Sequence, residues 1–268
     1  MGRLLVAAAL LTAYALLAMA PAARAVVPVS ADRLVGVVVW DEDQSVASSS
    51  FGLFDEAVSA EQVIPWTSLP MYDYRADASQ TSTIDANGVT AVGQAHSDGT
   101  LIGYMCAPCW PGSAASNLEW IFDVTSPTHF ALSGTLETEV TDPLGWGTLF
   151  AGEVTARVRL EDVSGGGAII AEFESVPTSA VPCCETVDVA ASGTLPVGRY
   201  RLVVENWASY PIYLPMPWGS GDASFDVTLA LTEISVPVPK GAPALLAAGL
   251  LLVGAAALQR SAWRRHRG

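Results

Sequence analysis

Apolar and polar residues alternate with a period of two along several stretches of the chain. The alternation is clearest in residues 224–231, 199–204 and 153–160. Because successive side chains of a β-strand point to opposite faces, this period predicts strands with one buried face. The residues expected in the core have large apolar side chains: Phe225, Leu229, Tyr200 and Leu202. Those expected at the surface are charged: Asp226, Arg199 and Arg201.

Other apolar runs of strand length lie between turn-forming residues. They are residues 34–40, 119–124, 129–140 and 168–174. No stretch between the termini has the apolar stripe of an amphipathic helix. The pattern therefore predicts an all-β fold, a jelly-roll-like antiparallel β-sandwich. Residues 41–83 have the weakest pattern, and we interpret the polar residues 41–50 as a loop.

The first 25 residues have the three parts of a secretory signal peptide. Arg3 gives a positive start, residues 4–18 form an apolar core, and residues 23–25 (Ala-Arg-Ala) have the small-x-small pattern of a cleavage site. Cleavage at this site would leave a mature chain that begins at Val26. We therefore expect residues 1–25 to be a signal peptide that directs export.

A second apolar segment lies near the carboxyl end of the chain. Residues 241–258 are uncharged, and as an α-helix they would extend about 27 Å, close to the roughly 30 Å thickness of the bilayer hydrocarbon. Basic residues follow this segment: Arg260, Arg264, Arg265 and Arg267. Since basic residues beside a spanning segment stay in the cytoplasm, we expect one C-terminal transmembrane helix in the inner membrane. Its basic cytoplasmic tail would contain Arg264, Arg265 and Arg267.

The two apolar segments divide the chain into residues 1–25, 26–234 and 235–268. The length of the middle part suits a single large sandwich domain. It has six arginines, no lysine and all 27 acidic residues, which gives a formal net charge of −21. Such a surface repels phosphate backbones, so we expect no nucleic-acid partner.

The four cysteines of the chain form two close pairs, Cys106 with Cys109 and Cys183 with Cys184. An even number of cysteines in an exported chain predicts disulfides. Two bridges between the pairs are geometrically easier than a bridge between adjacent cysteines, which needs a strained ring. A Cys106–Cys109 bridge, a thiol redox site and a four-thiolate zinc site are the alternatives. The Pro- and Gly-rich surroundings and an oxidising compartment favour structural bridges.

The sequence lacks the short motifs of common catalytic sites, such as G-x-S-x-G, H-E-x-x-H or a phosphate-binding glycine loop. Asp41, Glu42 and Asp43 form a cluster of carboxylates that matches no complete calcium loop. Neither His96 nor His129 has sequence neighbours that mark a nucleophile or a base. We therefore predict a non-catalytic protein without metal or cofactor.

Tryptophans give the main hint of a ligand. Five of them lie in stretches that resemble turns: Trp66, Trp110, Trp146, Trp207 and Trp218. An exposed indole can stack on a sugar ring, although most tryptophans of sandwiches are buried. A carbohydrate-binding module is therefore an alternative function. So is a carbohydrate-active module whose paired carboxylates come together only on folding.

The C-terminal segment has three features in order: Val236, Pro237, Val238 and Pro239, then residues 241–258, then the arginines of the tail. This order resembles the PEP-CTERM sorting signals of bacterial exported proteins. In that family a Val-Pro-x-Pro motif precedes a hydrophobic helix and an Arg-rich end, and a membrane protease, exosortase, cleaves near the motif. The chain differs from the usual pattern at Val238, where Glu is commonest, and in residues 259–263.

The resemblance implies that an exosortase-like protease releases the protein from the inner membrane to the cell surface or the extracellular matrix. Extracellular polysaccharide is the partner that this location implies. The alternative is a permanent single-pass anchor, in which residues 241–258 stay in the bilayer.

Overall fold

The computed structural model describes residues 25–39, 42–65, 71–102, 112–141, 154–177, 183–210 and 219–234. The predicted signal peptide, apart from Ala25, and the predicted sorting segment 235–268 lie outside these residues. In the part of the chain that the structure describes, no helix is long and apolar enough to cross a membrane.

The described residues form twelve β-strands. They are β1 (Val26–Val39), β2 (Glu42–Ser48), β3 (Gly52–Pro65), β4 (Met71–Asp85), β5 (Gly88–Ile102), β6 (Gly112–Val124), β7 (Thr128–Thr141), β8 (Val154–Asp162), β9 (Ala168–Ser175), β10 (Cys183–Leu195), β11 (Gly198–Tyr210) and β12 (Gly219–Glu233).

The strands form two six-stranded sheets. Sheet A has the order β2-β1-β6-β11-β8-β9, and sheet B has the order β10-β7-β12-β5-β4-β3. Every pair of neighbouring strands is antiparallel. The apolar faces of the two sheets enclose the core between them. The prediction of an all-β antiparallel sandwich is confirmed.

The connectivity of the last eight strands follows a nested pattern. Strand β5 pairs with β12, β6 with β11, β7 with β10, and β8 with β9. A long antiparallel two-stranded ribbon that folds over itself gives this pairing. Its successive strand pairs lie in sheets B, A, B and A, as in a jelly roll. The first four strands extend the sheets, with β1 and β2 beside β6, and β3 and β4 beside β5.

The core confirms the predicted strand faces. Phe225 and Leu229 of β12 are buried, as are Tyr200 and Leu202 of β11. The charged residues that alternate with them lie outside: Asp226 and Arg199 are exposed, and Arg201 is partly exposed. Aromatic rings fill the centre of the core, where Trp120 stacks on Phe122 with ring centroids 4.3 Å apart.

The prediction of a loop over residues 41–50 is wrong, because residues 42–48 form the edge strand β2. An edge strand has a neighbour on one side only, and the side chains of β2 are mostly exposed on both faces. Apolar and polar residues therefore need not alternate in β2, and its sequence lacks the signal of a half-buried strand. Strand β4 was not predicted from the sequence, because its inner face has little apolar contrast with its outer face. The inner residues include Ala76, Ala78, Gln80 and Ser82, which are small or polar.

A buried polar layer separates the two larger apolar clusters of the described core. Asn206 accepts a hydrogen bond from the Ser116 amide at 2.9 Å and donates one to the Ala223 carbonyl at 3.0 Å. The layer continues through Ser116, Gln80 and Ser82 to the buried Arg33. On β1, β4, β6 and β11 these polar residues stand between residues of one cluster and residues of the other. Buried polar groups of this kind fix strand register, because a slip would leave them unpaired.

The two ends of the sandwich differ. Short turns join β2 to β3, β4 to β5, β6 to β7, β8 to β9 and β10 to β11 at one end, which we call the turn end. The chain enters β1 and leaves β12 at the turn end. In the β4–β5 turn the Asn87 amide bonds Asp85 Oδ1 at 2.6 Å, and Gly88 has φ +144°. A Cβ at Gly88 would lie 1.8 Å from the Leu229 carbonyl oxygen, so only glycine fits.

The opposite end is the connection end. The strand ends that lie there flank residues 40–41, 66–70, 103–111, 142–153, 178–182 and 211–218, which are outside the described residues. Four of the five tryptophans singled out from the sequence belong to these connections: Trp66, Trp110, Trp146 and Trp218. So do Cys106 and Cys109.

Candidate functional site

A charged cluster centred on His96 lies on the outer face of sheet B. His96 is on β5, and its cross-strand partner on β12 is Asp222. His96 Nδ1 lies 2.6 Å from Asp222 Oδ1, and Nε2 lies 3.2 Å from Asp98 Oδ2. The hydrogen bond to Asp222, followed by that to Asp98, raises the pKa of His96 to about 10, while burial acts in the opposite direction. His96 is therefore a cation at neutral pH.

A depression of about 460 Å³ opens beside His96. Gln94 and Ser224 line it, as do Glu137 and Glu139 of β7, whose carboxylates form no ion pair within the described residues. These groups can accept or donate hydrogen bonds to a polar ligand. The imidazolium of His96 has both nitrogens bound to carboxylates, so it cannot accept a proton from a substrate near neutral pH.

The outer face of sheet A carries a ladder of ion pairs. Arg199 donates two hydrogen bonds to Asp123, at 2.7 and 3.0 Å, and this contact lowers the pKa of Asp123. Arg201 binds Glu161 with nitrogen–oxygen distances of 2.8 and 2.6 Å. Two further ion pairs lie on the same face. Arg159 binds Glu161 within β8, and Arg157 binds Glu205 of β11. Four of the six arginines of residues 26–234 are thus engaged in pairs across one face.

The ladder ends one row below Trp207, which lies in strand β11 and not in a turn as its sequence suggested. Trp207 is on the outer face of sheet A and is 38% exposed. The positions beside it in register are Ala115 and Thr155, and Gly36 lies beyond Ala115. This row is uncharged, in contrast to the rows that contain the arginines. Trp207 is thus a partly exposed indole on a strand of sheet A.

The cysteine prediction falls partly outside the described residues. Cys183 and Cys184 are the first residues of β10, and Cys184 is exposed. Cys106 and Cys109 lie in the connection between β5 and β6, outside the described residues. The end of β5, the start of β6 and the start of β10 all lie at the connection end of the sandwich. This placement is compatible with bridges between the two pairs, which remain a prediction.

The other predicted site residues either lie outside the described residues or do not converge. The sorting motif at Val236, Pro237, Val238 and Pro239 and the basic tail at Arg264, Arg265 and Arg267 lie outside, as does Asp41. Glu42 and Asp43 are consecutive residues of β2, so their side chains point to opposite faces. Over the described ranges, no group of three His, Cys, Asp or Glu residues could hold a metal ion.

The His96 cluster was missed by the sequence reasoning. Its strongest contact joins residues 126 positions apart, which no local pattern reveals. A weaker signal was present, because His96 and Asp98 are two residues apart and must share one face of a strand.

Comparisons with known proteins give little further information. No family model matches the chain, and no curated protein matches it. Among solved structures, one described as CBM4 structure and function has 12% identity and a TM-score of 0.22, over 45% of this chain and 83% of the other. The enzymatically active domain of tailspike protein 4 from bacteriophage CBA120 has 12% identity and a TM-score of 0.24, over 65% of this chain and 19% of the other. A structure of infectious bursal disease virus, Gt strain, has 10% identity and a TM-score of 0.22, over 89% and 75%. Scores this low identify no shared function.

Proposed function

We propose that the protein is an exported, non-catalytic β-sandwich of the cell surface or extracellular matrix, delivered through a PEP-CTERM-like sorting signal. One observation carries the proposal: the described strands extend from Val26, where β1 begins, to Glu233, where β12 ends. The strands therefore cover the part of the sequence between the predicted signal peptide and the predicted sorting motif. The last strand ends three residues before Val236, so the predicted motif follows the described strands directly in sequence.

The C-terminal segment supplies the delivery step of this proposal. Residues 241–258 insert into the inner membrane, and Arg264, Arg265 and Arg267 stay in the cytoplasm. Pro237 and Pro239 lack amide hydrogens and disfavour helix in the residues before them, so the motif remains extended outside the bilayer. An exosortase-like membrane protease binds this extended segment, cuts it, and releases the sandwich.

The described surface supports a binding or structural role over catalysis. The most strongly perturbed titratable group is His96, and both of its nitrogens already bind carboxylates. The four arginines on sheet A are likewise held in ion pairs. These groups hold strands together and are not poised to transfer protons.

Paired proline substitutions test the delivery step. Changing both Pro237 and Pro239 to Ala should block processing and leave the full-length protein in the membrane, because the apolar segment is untouched. Pro243→Ala, which removes a proline just beyond the motif, is the matched control and should be processed normally. Immunoblots of membrane and released fractions measure both. Normal release of the double variant would contradict the sorting proposal and favour a permanent anchor or another route.

The second candidate function is binding of extracellular polysaccharide. The partly exposed indole of Trp207 on a strand of sheet A favours it. A glycan-binding sandwich and a structural surface protein are compatible, because binding would retain the released protein in a polysaccharide matrix.

A further inference from the structure

An uncharged patch surrounds Trp207 on the outer face of sheet A. We define the Trp207 patch as Leu34, Gly36 and Val38 of β1, Ala115 of β6 and Trp207 of β11. Leu34, Val38 and Trp207 are each exposed by 38–39%. These uncharged residues occupy adjacent positions on three neighbouring strands, and contiguous exposed apolar surface of this kind favours contact with a ligand.

Gly36 lies at the centre of the patch, and its backbone conformation does not require a glycine. A Cβ added at Gly36 would meet only ordinary contacts, with Ser45 Cβ at 3.5 Å and the Gln44 carbonyl oxygen at 3.7 Å. Its φ angle also lies outside the left-handed region that favours glycine. Glycine weakens a strand, so a side chain could be placed here at a gain in stability. Because Gly36 has no side chain and Ala115 has only a methyl group, the sheet surface beside the Trp207 indole is not covered by large side chains.

Planar polar groups lie one row along the strands from the indole. Glu205 is two residues before Trp207, and its cross-strand partners are Asn117 and Arg157. Arg157 donates a hydrogen bond to Glu205 Oε1. Residues two apart on a strand point to the same face about 6.6–6.8 Å apart, which is the scale of one sugar ring. A carboxamide, a carboxylate and a guanidinium therefore stand at the border of an apolar platform.

We propose that the Trp207 patch binds a neutral polysaccharide, with the apolar face of a sugar ring stacked on the indole. The ring's hydroxyl groups then hydrogen-bond to Asn117, Glu205 and Arg157. Sugars match this arrangement because each ring has an apolar face of C–H groups and a polar edge of hydroxyls. The polymer is neutral because the net charge of −21 on residues 26–234 repels uronate or sulfate groups.

A protein partner fits the patch less well. Stable protein interfaces bury roughly 800 Å² on each side and exclude charge from their centre. Here the uncharged area is limited by the Arg157–Glu205 pair on one side and by Asp43, at the strand edge beside Val38, on the other. A single sugar ring needs only the platform and its border. The proposal depends on the proposed function in one respect, that a surface or matrix location supplies polysaccharide.

The test is binding of the full-length protein in detergent to three soluble polymers: dextran and mixed-linkage β-glucan, which are neutral, and alginate, which is a polyuronate. We expect saturable binding to at least one neutral polymer and none to alginate. Trp207→Ala should weaken it by at least about tenfold, because the stacking surface is lost. Gly36→Val should weaken it similarly, because the added side chain occupies the bare surface, while its thermal unfolding midpoint stays equal or rises.

Two controls separate the patch from general effects. Trp207→Phe keeps an aromatic platform and should retain measurable binding. Leu53→Ala removes an exposed leucine from sheet B, on the opposite side of the sandwich, and should change nothing. Binding that survives both Trp207→Ala and Gly36→Val, binding of alginate instead, or absence of binding to all three polymers would overturn the proposal. So would self-association of the protein that these variants abolish.

The same samples keep the two proposals distinct. Binding by a protein whose tail is never processed contradicts the delivery proposal alone. Normal processing of a protein that binds none of the polymers contradicts the Trp207 patch alone.

Discussion

His96 is a histidine whose surroundings keep it charged well above the ordinary range. Its pKa is about 10 in the folded chain and 6.5 for an ordinary histidine, because Asp222 and Asp98 bind the charged form. The raised pKa means that the stabilisation is fully present below pH 6.5 and is lost as the pH rises toward 10. We therefore expect the difference in unfolding free energy between the natural protein and His96→Gln to shrink between pH 6.5 and 10.

Urea unfolding at several pH values measures this difference. His129→Gln is the matched control, since His129 is exposed and forms no ion pair within the described residues, and it should change the unfolding free energy little. A His96 ring that titrates near pH 6.5 by NMR, or a difference that does not vary with pH, would show that the carboxylates do not hold the cation.

Leu229 tests the register of β12. Its side chain is fully buried in the main apolar cluster. Leu229→Ala should cost about 2–5 kcal/mol of unfolding free energy, the range for a truncated core leucine. Leu53→Ala removes the same atoms from a side chain that is 69% exposed and should cost little. Equal effects of the two substitutions in denaturant titrations would contradict the assigned faces.

Among the elements, the start of β10 and the β5–β6 connection carry the four cysteines. The described strand ends that flank these cysteines lie at the connection end of the sandwich, and we predict bridges from Cys106 and Cys109 to Cys183 and Cys184. Bridges that close so long a loop should stabilise the fold by about 2–4 kcal/mol. Non-reducing peptide mapping decides the pairing. Free thiols, or a Cys106–Cys109 bridge, would refute the prediction.

Strands with strong contrast between their two faces were predictable from sequence, and those with weak contrast were not. In β12, Phe225 and Leu229 alternate with polar residues because that face packs on sheet A. Strand β2 lacks such a face, so its polar sequence suggested a loop. The same limit applies to sites. Whether Trp207 lay in a strand or a turn, and that His96 meets Asp222, depended on pairings between distant segments.

At the scale of the whole molecule, the two outer faces have different electrostatic character. The outer face of sheet A pairs four arginines with carboxylates, and that of sheet B carries the His96 cluster and the Arg75–Asp77 ion pair beside it. Residues 26–234 have a formal net charge of −21, which favours solubility. The described chain enters β1 and leaves β12 at the turn end.

The central claim is that this sandwich is exported and then separated from its membrane segment. The most direct measurement is the intact mass of the native mature protein, supported by peptide mapping. We expect an amino terminus at Val26 and a carboxyl terminus near Val236–Pro239, with no peptides from residues 241–258. Recovery of those peptides in stoichiometric amount from the mature form would contradict the claim and identify a permanent membrane anchor.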